Sequence, residues 1–205
     1  MEAGKIKKIV VIGPESTGKS TLCQQLAEHY HTVWCPEYAR EYLLKHGMDY
    51  SYDNLLTVAK GQIGLEEDCE EKVRKSGSPE DRKKFSNSPG AAYGLSDFPS
   101  SRLLFVDTNM YVMKVWCEFV FGKCHPYILD QIKKRSYDLY LLCNVDLPWV
   151  KDELREYPDL VTREKLYHIY KEIMVHQAVP WVDISGNYEE RLKKAIAATD
   201  TLLKK

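Results

Sequence analysis

The chain carries no surplus of either charge: 29 Lys and Arg stand against 30 Asp and Glu, a formal net charge of -1 over 205 residues. That balance, spread along the chain, gives no electrostatic case for a nucleic acid or a membrane surface as partner. Long hydrophobic runs are missing as well. The basic start Lys5, Lys7, Lys8 is followed by only a few apolar residues before Gly13. They are too few for the core of a signal peptide, and no run approaches membrane-spanning length. The expected location is cytoplasmic. The six cysteines, Cys23, Cys35, Cys69, Cys117, Cys124 and Cys143, contain no C-x-x-C pair, and Cys117 with Cys124-His125 fits no zinc spacing. They read as small buried hydrophobes in a reducing compartment. No internal repeat is visible, and the length suits one domain with its own core.

What the sequence does contain is Gly13 to Ser20, GPESTGKS, between the apolar run Ile6 to Ile12 and an amphipathic run beginning at Thr21. G-x-x-x-x-G-K-[ST] after a strand and before a helix is the phosphate-binding P-loop. Gly13 and Gly18 permit backbone angles that a side chain would forbid, so the N–H groups of Glu15, Ser16, Thr17 and their neighbours can turn inward on a polyphosphate. The following helix adds the positive end of its dipole. Lys19 is placed for the β- and γ-phosphates, Ser20 for a magnesium ion and Thr21 for the α-phosphate. ATP with Mg2+ is the expected cofactor pair.

Four further apolar strands are expected at Thr32–Cys35, Leu103–Asp107, Leu139–Cys143 and Trp181–Ile184, separated by helical patterns. The fold class is α/β: a P-loop NTPase with a five-stranded parallel sheet and helices on both faces. Asp107 ends its strand where the second half of such a site holds magnesium. Glu37 and Arg40 follow the second strand and share one helix face. The functional reading competes there with a helix-dipole carboxylate and a surface ion pair. Thr108 is an expected helix cap. The acidic run Glu66, Glu67, Asp68, Glu70, Glu71 reads as a solvated face, and Trp116 as core or as a base-stacking platform. Residues 76–101, about half Ser, Pro and Gly, read as a loop-like insertion, with a short helix start at Ser78-Pro79-Glu80-Asp81. The segment at about 146–163, with Arg155 and Arg163, suits a lid closing on the triphosphate. The turn Gly186-Asn187 is the expected place for adenine.

Three P-loop outcomes follow. A GTPase would show N-K-x-D, which Asn144-Val145-Asp146 does not fit. An AAA-type ATPase would bring more chain, including a helical lid domain. A small-molecule kinase needs a compact sheet, an acceptor pocket and an arginine-bearing lid, and all have candidates here. The opposing class is a regulatory or nucleotide-sensing NTPase with no small acceptor.

The motifs GPESTGKSTL at 13–22, EYAREY at 37–42, FVDT at 105–108 and WVKDELR at 149–155 resemble the ribosylnicotinamide kinase domain of the bacterial NadR family. The resemblance covers most of the chain outside 76–101. It implies transfer of the ATP γ-phosphate to the 5′-hydroxyl of nicotinamide riboside, giving nicotinamide mononucleotide. It also implies a single kinase domain over 1–205, standing without that family's DNA-binding and adenylyltransferase parts, and a small-molecule nucleoside as substrate. By the resemblance, Lys19 and Ser20 serve phosphate and magnesium, Asp107 the metal or the acceptor hydroxyl, Glu37, Tyr38, Arg40 and Asn109 the riboside pocket, and Arg155 the lid. Arg163 belongs with the nucleotide. Either Glu37 or Asp107 takes the hydroxyl proton. Two positions depart from the family pattern: Pro36 stands where an aromatic residue stacks on the nicotinamide, and Asn109 where a second acidic residue is common. Trp34, Tyr38, Tyr42 and Trp116 are the replacement candidates for stacking.

Overall fold

The computed structural model describes residues 5–76 and 102–204, so the expected insertion beyond Ser76 and the helix start expected at Ser78 lie outside the described residues. Five strands form one parallel sheet: β1 (Lys7–Ile12), β2 (Val33–Cys35), β3 (Leu103–Asp107), β4 (Leu139–Cys143) and β5 (Trp181–Ile184), in the order β2-β3-β1-β4-β5. The described helices are α1 (Lys19–His29), α2 (Tyr38–His46), α3 (Tyr52–Ser76), α4 (Met110–Phe121), α5 (Pro126–Lys134), α6 (Leu160–His176) and α7 (Tyr188–Leu203).

Side chains alternate across a strand, so a strand buried on both faces must be apolar at every position. The central strands meet that demand. Ile9, Val11, Leu103, Phe105, Leu139 and Leu141 pack with α1 and α7 on one face. Val10, Ile12, Leu104, Val106, Tyr140 and Leu142 pack toward α3, α4 and α6 on the other. A third cluster, with Ala39, Leu55, Val58, Met113 and Ile128, joins α2 to α3, α4 and α5. The chain leaves β1 toward β2 on one side and crosses to β4 on the other, which opens a crevice at the carboxyl ends of β1, β2 and β3.

Three expectations change. Glu66 does not belong to a solvated face: it is 1% exposed and accepts bonds from Lys8 (3.0 Å), Arg135 (3.1 Å) and Tyr137 (3.0 Å). A buried carboxylate needs such partners, and only the fold brings β1 and the α5–β4 turn to it. Thr108 is not the cap of α4. Asn109 is, accepting from the Tyr111 N–H at 3.0 Å, while Thr108 sits at φ 73°. Helix α6 starts at Leu160, inside the expected lid segment at about 146–163, because Asp159 caps it through the Thr162 N–H at 2.7 Å. Among the cysteines Cys124 is partly exposed, the other five are buried, and all are free. Among the described residues no helix is long and apolar enough to cross a membrane.

Candidate functional site

The phosphate loop joins β1 to α1. Gly13 sits at φ 142°, and a Cβ there would meet the Cys143 carbonyl oxygen at 2.6 Å, so both backbone angle and space require glycine. Gly18, at φ 76°, offers the first turn of α1 no side-chain cap. The loop is braced from below by two buried arginines. Arg191, 2% exposed, donates to the carbonyls of Gly186 (2.7 Å), Thr17 (2.9 Å) and Asn144 (2.9 Å) and pairs with Asp146. Arg163, 3% exposed, donates to the carbonyls of Ser16 (3.2 Å) and Leu147 (3.4 Å). Arg163 thus lies behind the loop, not in the cavity wall. Arg191 escaped the sequence reading. Its one signal there is its place on the apolar stripe of α7, four residues before buried Ala195.

Beside the loop the carboxyl ends of β2 and β3 bring Glu37, Asp107 and Ser20 together. The Ser20 hydroxyl donates to Asp107 Oδ2 at 2.5 Å, and the Thr108 hydroxyl to Glu37 Oε1 at 3.2 Å. Burial first, and then the neighbouring Glu37 charge, push the Asp107 carboxyl up to about 6, against the pull of Lys19 and the two hydroxyls. Such a carboxylate gains from a cation. Among the described residues no three His, Cys, Asp or Glu side chains converge as a metal cage. Magnesium fits nonetheless, because with nucleotides it takes one or two protein oxygens and fills its octahedron with phosphate and water. Ser20 and Asp107 are the residues that would hold it. Thr108 keeps its strained backbone angle with its N–H bonded to the Val11 carbonyl at 3.3 Å. For a β-branched residue that conformation costs about 1–3 kcal/mol.

All of this opens on a single cavity of about 270 Å³. One pole is the phosphate loop from Gly13 to Ser20; the other is an apolar chamber walled by Trp116, Phe119, Tyr157, Leu166 and Tyr170. Trp34, Pro36, Glu37, Arg40, Asp107 and Arg155 line it between and around these poles. Lys19 donates to the Pro14 carbonyl at 2.9 Å. Arg155 reaches Ser16 Oγ at 3.4 Å, and it and Arg163 flank the Trp149 ring at 5.9 and 5.5 Å. Arg40 pairs with Asp152 rather than with Glu37, at 2.9 Å. Besides Arg163, three of the expected site residues are not in the lining. Tyr38 packs its ring over Gly61 of α3. Asn109 is buried, its amide donating to the Tyr140 hydroxyl at 3.1 Å and its oxygen capping α4. Thr21 is exposed on the first turn of α1. Of the stacking candidates, Trp34 and Trp116 reach the cavity and Tyr38 and Tyr42 do not. Asn187 is engaged in a capping box with Glu190 at the start of α7.

Comparison with known proteins places residues 8–191 in the family described as AAA domain. The chain belongs to that family. The trifunctional NAD biosynthesis/regulator protein NadR of Escherichia coli (strain K12) is 24% identical over 195 residues. That alignment takes in 93% of this chain and 41% of NadR, so the chain spans well under half the length of that curated relative. A crystal structure of NadR protein in complex with NR superposes with a TM-score of 0.67 at 20% identity, over 96% of this chain and 51% of that one. Thymidylate kinase from Ehrlichia chaffeensis superposes with a TM-score of 0.54 at 13% identity, over 96% of this chain and 100% of that one. The fold of this AAA-domain chain is therefore that of the P-loop kinases, with similarity to NadR along most of its length.

Proposed function

We propose that this chain is an ATP-dependent phosphotransferase that phosphorylates the 5′-hydroxyl of a nucleoside, with nicotinamide riboside as acceptor and nicotinamide mononucleotide as product. The observation that carries the reading is one cavity with two unlike poles, a phosphate loop and an aromatic chamber, meeting at Glu37 and Asp107. In this reading the second pole seats the acceptor beside the phosphates. The likeness to NadR, whose crystal structure holds NR, narrows the acceptor. We take residues 1–205 as one kinase domain, with the segment at about 146–163 as its lid.

In this reading the N–H groups of the phosphate loop, the α1 terminus and Lys19 hold the β- and γ-phosphates. Magnesium, when bound, supplies positive charge between them. Ser20 and Asp107 would hold that ion, and Glu37 orients the 5′-hydroxyl and accepts its proton, with Thr108 fixing the Glu37 carboxylate. Arg155 lies over the loop to neutralise charge on the phosphoryl group in flight. A loose transfer asks little of a base, so alignment between the poles is the larger contribution. Trp116 and Phe119 face the acceptor ring and replace the stacking residue absent at Pro36.

The test is ATP turnover with magnesium across a panel of nucleosides. Stimulation by nicotinamide riboside supports the reading in full. Stimulation by another nucleoside keeps the kinase and replaces the acceptor. Hydrolysis at one slow rate with and without every nucleoside contradicts it and favours the nucleotide-sensing NTPase, the reading that the AAA description of the family keeps in view.

A further inference from the structure

The segment between β4 and α6 is fastened to both poles of the cavity. Toward the phosphate loop, Ser16 Oγ accepts the Val150 N–H at 3.0 Å, and the Glu15 carboxylate accepts the N–H groups of Glu156 and Tyr157 at 3.0 and 3.2 Å. Toward the acceptor side, Arg40 grips Asp152 through both guanidinium nitrogens, at 2.9 and 3.3 Å. There too the Tyr50 hydroxyl donates to Glu156 Oε2 at 2.8 Å while accepting the Trp116 indole N–H at 2.9 Å. Trp116 lines the cavity and Tyr50 does not. A continuous chain thus runs from the aromatic wall through Tyr50 and Glu156 to Glu15 of the phosphate loop.

We propose that Tyr50 is a positioning residue that reports occupancy of the aromatic chamber to the phosphate loop, so that an aromatic nucleoside and the nucleotide fasten the 150–157 strap together. The proposal rests on the kinase reading and adds to it. The Tyr50 ring is held edge-on by Trp116 at 5.0 Å and Phe121 at 6.3 Å, so its hydroxyl direction is fixed by its neighbours. Burial raises its pKa, which keeps the hydroxyl a donor to Glu156. A ring seated on Trp116 restrains the indole, and each group already restrained lowers the ordering cost of the next. Linkage makes the effect reciprocal: bound nucleotide must tighten acceptor binding by the same factor.

The experiment is Tyr50→Phe, which keeps both ring contacts and removes only the hydroxyl. Amide hydrogen exchange at Glu156 and Tyr157 is expected to speed up about fivefold, with β1 amides unchanged, as the loss of one net hydrogen bond allows. The acceptor KM is expected to rise about fivefold with a smaller change in kcat. Glu156→Ala is expected to add nothing further in the Tyr50→Phe background, since both substitutions cut one chain. Unchanged exchange at 156 and 157, an unmoved acceptor KM, or additive effects of the two substitutions would each overturn the proposal. If the unaltered protein phosphorylates no nucleoside, the kinase reading falls, and the exchange data still decide whether Tyr50 holds the strap.

Discussion

The two poles of the cavity are built from different materials. The phosphate pole is backbone: two glycines in the left-handed region, a helix terminus, and buried Arg163 and Arg191 holding carbonyls rather than ligand. The aromatic pole is side chain: Trp116 and Phe119 from α4, Leu166 and Tyr170 from α6, Arg40 from α2 and Tyr157 from the strap. A backbone cradle demands a fixed local spacing and tolerates almost no change. A chamber assembled from separate elements can alter its occupant one side chain at a time, and its ties to the strap are exposed and weak. The poles should therefore fail differently.

The sharpest break is expected at the phosphate pole. Lys19→Met should abolish turnover, a loss of 10³-fold or more, on the order of 4 kcal/mol of transition-state stabilisation, measured as kcat with saturating ATP. Glu37→Gln acts between the poles: transfer should fall about 10²-fold, the scale of one positioned proton acceptor, while ATP affinity measured by calorimetry stays within about twofold. Unchanged transfer would remove Glu37 from the mechanism. Gly13→Ala separates fold from chemistry, because its Cβ has no room beside Cys143. It should cost about 1–3 kcal/mol in denaturant unfolding.

Asp107→Asn should do the opposite to stability. The folded carboxyl titrates near 6 against an ordinary 3.8, so the folded protein binds the extra proton between those values. Stability therefore falls as pH rises through that window and is flat above it. The Asn variant, without nucleotide or magnesium, should melt higher than the parent, by on the order of 1 kcal/mol at pH 8 and less at pH 5, while losing transfer. Smallest is Arg40→Ala. Its pair with Asp152 is half-exposed, so the acceptor KM should rise only a few-fold, and less at high salt.

The same contrast explains how much of the molecule was legible in sequence. Every strand was visible within a residue or two, because strands buried on both faces must be apolar throughout. The phosphate loop was visible because its chemistry is local. Glu37 and Asp107 were found from their places at strand ends, and they do meet at the cavity. Arg191 and the aromatic wall beyond Trp116 were not found as site residues, because nothing local marks a side chain whose partners lie far along the chain. Thr108 was assigned the cap that Asn109 supplies, since both residue types cap helices and only the backbone angle at Thr108 separates them. Glu66 was misplaced for a related reason: an acidic run looks solvated until the fold brings Lys8 and Arg135 to Glu66, Glu67 and Glu70 and buries the first of them.

The central claim is that both poles serve one reaction, and the mass of the product tests it most directly. Purified protein with ATP, magnesium and nicotinamide riboside should yield nicotinamide mononucleotide in step with ADP. ADP formed with no phosphorylated nucleoside, for nicotinamide riboside and every other nucleoside offered, would contradict the account.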